Sequence, residues 1–210
     1  MTAAPAPLTK PTLDARREHE RKKYLVLAAQ SATAGTGYGA TNHGAAAIPL
    51  VQRLTPRPPR FVVDFGCGQN LFIQSLRRIG IDGLGIDFAF PEADIPRAMH
   101  ATGLLDGVAD VVTSFDALEH MLPEDVDAVL AEMRRVARPR AHFVLSICTR
   151  PSRNTVAGEG LHPTVRPLAW WLDRIGQVAT VTAPKAEGRY IVGRFAAKEG
   201  VGGRGGCGCA

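Results

Sequence analysis

Three short apolar runs in this chain each stop on an aspartate. Phe61-Val62-Val63 runs into Asp64, Gly83-Leu84-Gly85-Ile86 into Asp87, and Val111-Val112-Thr113-Ser114-Phe115 into Asp116. β-Branched and aromatic residues in such short runs suit strands buried on both faces, where a carboxylate is costly unless it finds donors. Between the runs the pattern switches to helical spacing. Phe72, Leu76 and Ile79 recur after the first run, with Gly80 as a stop. Val126, Val129, Leu130, Met133 and Val136 recur within Glu124 to Ala137, about four turns of helix. Strand alternating with helix predicts a parallel sheet covered on both faces, an α/β three-layer sandwich. Ligands of such sheets bind at the carboxyl ends of the strands, and all three acids stand at such ends.

The other segments extend this frame. Helices are expected over 14–30 and 45–54, and Pro56, Pro58 and Pro59 prevent the second from continuing. Residues 141–147 read as a fourth strand and 166–175 as a shorter helix carrying the adjacent Trp170 and Trp171, which cannot share one helix face. Residues 178–184 and 189–197 flank Lys185-Ala186-Glu187-Gly188 and read as an antiparallel pair. The Ala/Pro/Thr-rich residues 1–13 are expected to be disordered and the glycine-rich 200–210 to form a flexible tail. That leaves one domain over 14–199.

A composition of 45% hydrophobic and 21% charged residues is that of a soluble globular protein. No apolar run approaches the roughly 20 residues of a membrane span. The apolar stretch 24–32, after Arg21-Lys22-Lys23, is too short for a signal peptide. The net charge is +5, and five of the 25 basic residues are lysines. This excess fits an anionic ligand, a nucleic acid or neither. Of four cysteines, Cys207 and Cys209 fall in the last four residues. That is no disulfide framework and points to a reducing cytoplasm.

Gly66 and Gly68, just after Asp64, ask for a tight turn or a close approach by another group. A phosphate loop would continue with Lys and then Ser or Thr, whereas Gly68 is followed by Gln69-Asn70-Leu71. A dinucleotide fold would place a third glycine where Leu71 stands. S-adenosylmethionine (SAM) makes three demands, and this stretch meets each. Its ammonium wants an acid, such as Asp64. Its ribose wants a carboxylate at the end of the next strand, such as Asp87. Its amino-acid portion wants an approachable backbone, which the glycines supply.

"VVDFGCGQN", "GIDFAFP", "DVVTSFDALEHM" and "LAEMRRVARPRAHFVLSI" resemble, in order and spacing, the motifs of class I SAM-dependent methyltransferases. "DALEH" is most similar to the branch containing the ubiquinone and menaquinone biosynthesis methyltransferases. The resemblance covers residues 60–148. It implies a Rossmann-like, mostly parallel seven-stranded sheet with an antiparallel last strand, and SAM as cofactor. It also implies cofactor contacts at Asp64, Gly66, Cys67, Gly68, Asp87, Phe88, Phe115 and Asp116. Two departures stand out. "MHATGLLDG" offers His100 and Thr102 but no acid before Asp106 where the family contacts adenine, and its third strand is barely visible. Arg140-Ala141 replaces a glycine turn after Pro139.

The family builds its acceptor pocket after the fourth visible strand, which makes His162 the first candidate for a general base. A loop-fixing histidine is the plainer reading. His120 is the second candidate, near the transferred methyl group, and Glu119 and His120 equally suit a helix start or packing. Cys67 reads as a small packing residue rather than a nucleophile. Tyr38, Asn42 and His43 lie in the segment that commonly folds over bound SAM, or form a surface loop. One tryptophan should be core and the other free to line the pocket or stack on a ring. Arg134, Arg135, Arg138, Arg140, Arg150 and Arg153 form a solvated face or a basic rim. Cys207 and Cys209 offer too few ligands for a closed zinc site, and no metal is expected. The expected activity is methyl transfer to an O, N or C nucleophile of a small molecule. The alternatives are a nucleic-acid acceptor, or SAM binding without transfer.

Overall fold

The apolar runs are buried on both sides, as their composition requires. In a computed structural model, which describes residues 11–34, 37–38 and 41–197, Val62, Val63, Val111 and Val112 have no exposed surface. The elements in chain order are α1 (Leu13–Ala34), α2 (Ile48–Arg53), β1 (Phe61–Phe65), α3 (Leu71–Arg78), β2 (Asp82–Ile86), β3 (Ala109–Phe115), α4 (Val126–Val136), β4 (Ala137–Ser146), β5 (Thr155–Val156), β6 (Glu159–Gly160), α5 (Leu168–Gly176), β7 (Ala179–Ala186) and β8 (Tyr190–Phe195). One main sheet runs β2-β1-β3-β4-β8-β7, and β5 and β6 form a separate small hairpin. β1 pairs in parallel with β2 and β3, and β3 with β4. β8 lies antiparallel between β4 and β7, which is the antiparallel last strand expected.

Successive strand residues point to opposite faces, so each strand feeds two cores. Val62 and Val111 pack under α2 and α3 with Val51, Phe72, Ile73 and Leu76. Val63 and Val112 pack under α4 and α5 with Leu130, Met133, Trp171 and Ile175. This is the three-layer sandwich.

The main sheet has six strands among the described residues, not the seven implied by the resemblance. The strand that is absent is the one barely visible in the sequence, beyond β2. A further parallel edge strand would need two crossovers, each of about a dozen residues or more. Residues 87–108 are too few to hold both, and they carry Pro91 and Pro96. They instead touch β2 at a single bridge between Ile86 and Ile95. Asp94 takes over part of the edge, accepting the Gly85 amide at 2.9 Å and the side chains of Asn70 and Arg77 at 2.8 and 2.9 Å. An open strand edge is thereby closed by a side chain.

The first helix begins at Leu13, where the Thr12 hydroxyl caps it by accepting the Ala15 amide at 3.2 Å. The expected disordered start and flexible tail fall otherwise outside the described residues. No helix among the described residues is long and apolar enough to cross a membrane. Arg140, in place of a glycine, adopts φ 62°, a left-handed conformation that glycine takes at less cost.

The two tryptophans divide as their adjacency demands. Trp171 is fully buried. Trp170 is half-buried between the guanidinium groups of Arg166 and Arg174, 5.9 and 5.0 Å from its ring centre. Trp171→Ala is expected to lower the unfolding free energy by about 3–5 kcal/mol through cavity formation. Trp170→Ala should cost about 1 kcal/mol, the scale of an exposed cation–π contact. Chemical denaturation of the two variants checks this, and equal costs would refute the assignment of faces.

Candidate functional site

The carboxyl ends of β1, β2 and β3 open on one cleft of about 1200 Å³, with Asp64, Asp87 and Asp116 on its wall. The chain leaves β1 through Gly66 and Gly68, at φ 75° and 52°, backbone that side chains resist. The amides of Gly66 and Cys67 both donate to the Ile86 carbonyl, at 2.8 and 3.0 Å. The Gly68 amide donates to Asp87 Oδ2 at 3.0 Å. A Cβ at Gly66 would stand 2.4 Å from Ala117 Cβ. The loop can therefore lie against β2 and the segment after β3 only as glycine.

The three acids differ electrostatically. Asp64 is buried and accepts the Thr113 hydroxyl at 2.7 Å. Burial pushes its carboxyl up to about 7, against the Thr113 hydrogen bond and with help from the Asp87 charge. Asp87 is also raised by burial, although the amides of Ala89 and Gly68 pull the other way. The Asp87 charge disfavours ionisation of the neighbouring Asp64, which a cation would relieve. Asp116 behaves differently. Burial pushes it up, but hydrogen bonds from His43 and Ser146 prevail and hold it below the usual carboxylate range. His43 Nδ1 lies 2.9 Å from Asp116 Oδ2, and Ser146 Oγ donates to Oδ1 at 2.9 Å.

At the other end of the cleft, His120 and His162 meet edge to face with ring centres 4.6 Å apart. His120 Nδ1 lies 2.7 Å from both the Leu161 carbonyl and the Tyr24 hydroxyl, and its Nε2 lies 3.0 Å from the Tyr38 hydroxyl. Burial lowers His120 to about 4, so the ring is neutral near pH 7. His162 Nδ1 lies 2.7 Å from the Arg150 carbonyl. Glu119 is fully buried; its Oε1 accepts the Cys148 amide at 3.0 Å.

All ten residues named as catalytic or cofactor-binding candidates line this one cleft. Phe88 packs edge-on against Tyr24, and Phe115 against Phe72. Burial pushes the Cys67 thiol up, which suits packing and not nucleophilic attack. Tyr38, Asn42 and His43 line the cleft, and Asn42 Nδ2 donates to the Leu71 carbonyl and Ser75 Oγ at 3.2 and 3.1 Å. Arg150 and Arg153 stand at the cleft, whereas Arg134, Arg135 and Arg138 bind Ala197, Asp106 and Asp110 elsewhere. Neither tryptophan lines the cleft. Thr102 is also away from it, bonded to Glu132 at 2.6 Å, and Met99 lines that wall instead. Tyr24 and Thr113 escaped the sequence reading. The one hint was a polar Thr113 inside an apolar run.

Sheet order, an antiparallel β8 and a glycine loop tied to the end of β2 define the class, a Rossmann-like methyltransferase fold. The profile of a family described as a methyltransferase domain matches residues 40–182, and the chain belongs to that family. The ubiquinone biosynthesis O-methyltransferases of Methylococcus capsulatus and Hahella chejuensis are 30% and 29% identical over 119 and 122 residues. Those matches cover 49% of this chain, and the chain spans 49% of the length of these curated relatives. Among solved structures, the Burkholderia thailandensis 1,6-didemethyltoxoflavin-N1-methyltransferase, with bound 1,6-didemethyltoxoflavin and S-adenosylhomocysteine, superposes with a TM-score of 0.62. It is 15% identical, and the match covers 92% of this chain and 93% of that one.

Gly85, inside β2, supports the loop from below. A Cβ there would stand 2.2 Å from Asn70 Oδ1 and 2.7 Å from Cys67 Sγ. Gly85→Ala is expected to destabilise the fold by about 1–3 kcal/mol through overpacking and to displace residues 67–70. Denaturant unfolding with a structure of the variant tests this; an unchanged midpoint and loop would count against it.

Proposed function

We propose that this chain transfers a methyl group from SAM to a nucleophilic O, N or C atom of a small molecule. The observation that carries the reading is the convergence of Asp64, Asp87 and the glycine loop on one cleft at the carboxyl ends of β1 and β2. A buried Asp64 and a half-buried Asp87, with no cationic partner among the described residues, suit a ligand bearing positive charge. SAM supplies a methyl group on a cationic sulfur, already activated toward nucleophiles. In this reading Asp64, Gly66, Cys67 and Gly68 hold its amino-acid portion, and Asp87 and Phe88 its ribose end. Phe115 and Asp116 complete the wall, with Asp116 also pinning His43. His162 and His120 face the acceptor, where a neutral imidazole nitrogen can take up a proton. The residues contribute positioning and exclusion of water.

The curated relatives' name, an O-methyltransferase of ubiquinone biosynthesis, favours a hydroxylated small molecule as acceptor. Arg150 and Arg153 at the cleft favour a second reading, an acceptor within a nucleic acid. The thiols of Cys67 and Cys148 are free, in keeping with a reducing cytoplasm. Incubation with methyl-labelled SAM and fractionated cell extract separates these readings. Label in low-mass metabolites is the expected result. Label in nucleic acid would establish the second reading, and SAM binding with no labelled pool would indicate a binding protein without transfer.

Asp87 provides a direct test of the cofactor. Hydrogen bonds to a charged partner contribute roughly 1.5–3 kcal/mol each, partly offset by desolvating the carboxylate. Asp87→Ala is expected to weaken SAM binding by about 2–4 kcal/mol, roughly 30- to 1,000-fold in Kd. Calorimetry with circular dichroism as the folding control measures it. A folded variant with full affinity, or a wild type that binds NADH and not SAM, would sink the assignment.

A pH dependence follows from Asp64. In the ligand-free cleft its carboxyl is raised to about 7, so it is protonated below that pH and ionised above it. A cationic ligand favours the ionised form, so affinity should rise with pH and level off above about 7, gaining roughly tenfold between about pH 6 and about pH 8. Asp64→Asn should remove that component. SAM's own ammonium titrates identically against both proteins, so the ratio of their Kd values isolates Asp64. A ratio constant with pH would exclude it as the cation's partner.

A further inference from the structure

We propose that Glu119, His120 and His162 form a binding site for one divalent first-row transition-metal ion at the acceptor end of the cleft. The site is argued from these side chains; what the ion does there rests on the methyltransferase reading. One donor atom from each residue lies within 4.8 Å of the others. Each side chain is also held from behind by the backbone. His120 Nδ1 is 2.7 Å from the Leu161 carbonyl and His162 Nδ1 is 2.7 Å from the Arg150 carbonyl. A carbonyl only accepts, so each Nδ1 carries the proton and each Nε2 presents a lone pair. Metal-binding histidines are oriented in this way. Glu119 repeats the arrangement, with Oε1 on the Cys148 amide.

The second observation is Glu119 Oε2. The residue is fully buried, and this oxygen has no hydrogen-bond partner among the described residues. A buried carboxyl oxygen without a partner is costly, protonated or not, and a cation between it and the two imidazoles removes that cost. One competitor is present: the Tyr38 hydroxyl, 3.0 Å from His120 Nε2, moves aside or joins the ligands when the ion binds. Asp116 is not in the set, because His43 and Ser146 occupy its oxygens.

Two imidazoles and one carboxylate suit zinc, cobalt, iron or manganese better than magnesium or calcium. Donors around a tetrahedral zinc stand about 3.4 Å apart, so binding draws the three side chains together by small rotations. Three protein ligands leave a position open for an acceptor hydroxyl. There the O–H bond breaks more readily, its proton passing to water and the anionic oxygen remaining. The histidines then hold the ion, and neither needs to act as the base.

The test strips the full chain with a chelator and titrates it with Co²⁺, read by visible absorption and elemental analysis. One Co²⁺ per chain, displaced by Zn²⁺, is expected. Glu119→Gln and His162→Ala should each weaken binding at least about 100-fold. Should the buried Glu119 variant fail to fold, the half-buried His162 decides alone. A paired Cys207→Ser, Cys209→Ser variant should bind as wild type does; loss of Co²⁺ there, or a sulfur-to-cobalt charge-transfer band, would place the ion on thiols and overturn the site. Absence of stoichiometric Co²⁺ would overturn it too, as would full methyl transfer by metal-free protein overturn the ion's role. SAM affinity measured on the same stripped sample keeps the two readings apart. Normal SAM binding without Co²⁺ removes only the metal, and Co²⁺ binding without SAM removes only the methyltransferase reading.

Discussion

Three successive amides after β1 end on the carboxyl end of β2: those of Gly66 and Cys67 on the Ile86 carbonyl, and that of Gly68 on the Asp87 carboxylate. The rest of the cleft depends on this attachment. It fixes one conformation for a loop that glycine would otherwise leave free to vary, and it uses one acid both to shape the wall and to face the ligand. Asp87 Oδ1 does the same for the following turn, accepting the Ala89 amide at 2.9 Å. Donors on both oxygens fix the carboxylate's orientation before anything binds. Such preorganisation spares a ligand the cost of ordering its own site.

The same attachment explains how the sheet tolerates its shortened edge. With no strand beyond β2, the Gly85 amide would face solvent at the point where the loop rests. Asp94 accepts that amide and, through the same oxygen, the Asn70 side chain. Arg77 binds the other Asp94 oxygen. Hydrogen bonds and the Arg77 charge hold Asp94 below the usual carboxylate range despite the burial that opposes them. One ionised side chain, together with the Ile95 backbone at its bridge to β2, therefore closes the edge while tying α3 to β2.

What the sequence made legible was local. Asp64, Asp87 and Asp116 could be placed at strand ends because the strands are short apolar runs with a period of their own, and the glycines sit within a few residues of them. The strand count was harder to read. The family pattern implied seven strands, while the length of 87–108 already argued against the extra one; counting crossover residues would have shown it. Glu119, His120 and His162 were individually visible, but their meeting was not. It depends on the path of residues 147–161, where neither period nor glycine pattern constrains the chain. The expectation of no metal was drawn from Cys207 and Cys209, which lie outside the described residues, and did not weigh these three side chains together. Tyr24 was illegible for the same reason: its partner lies across the fold.

Tyr24 also shows that the site extends beyond the matched family domain. That match begins at residue 40, yet α1 brings the Tyr24 hydroxyl to His120 and to the Leu161 carbonyl at 2.7 Å. Ion pairs at its start help to dock α1. Arg17 binds both oxygens of Asp125, which is buried, and Arg16 adds Glu124 beside it. A buried carboxylate met by a two-pronged guanidinium is a strong, directional contact, and without Arg17 the Asp125 charge would be left without that partner. The helix is therefore held at its start by ions and, a few turns on, by Tyr24, Leu27 and Leu161 packed together. Because Tyr24 shares the Leu161 carbonyl with His120, the docking of α1 and the orientation of that histidine are one event. The proton position on the ring, and with it which nitrogen faces the cleft, is thus set in part by residues lying before the family domain begins.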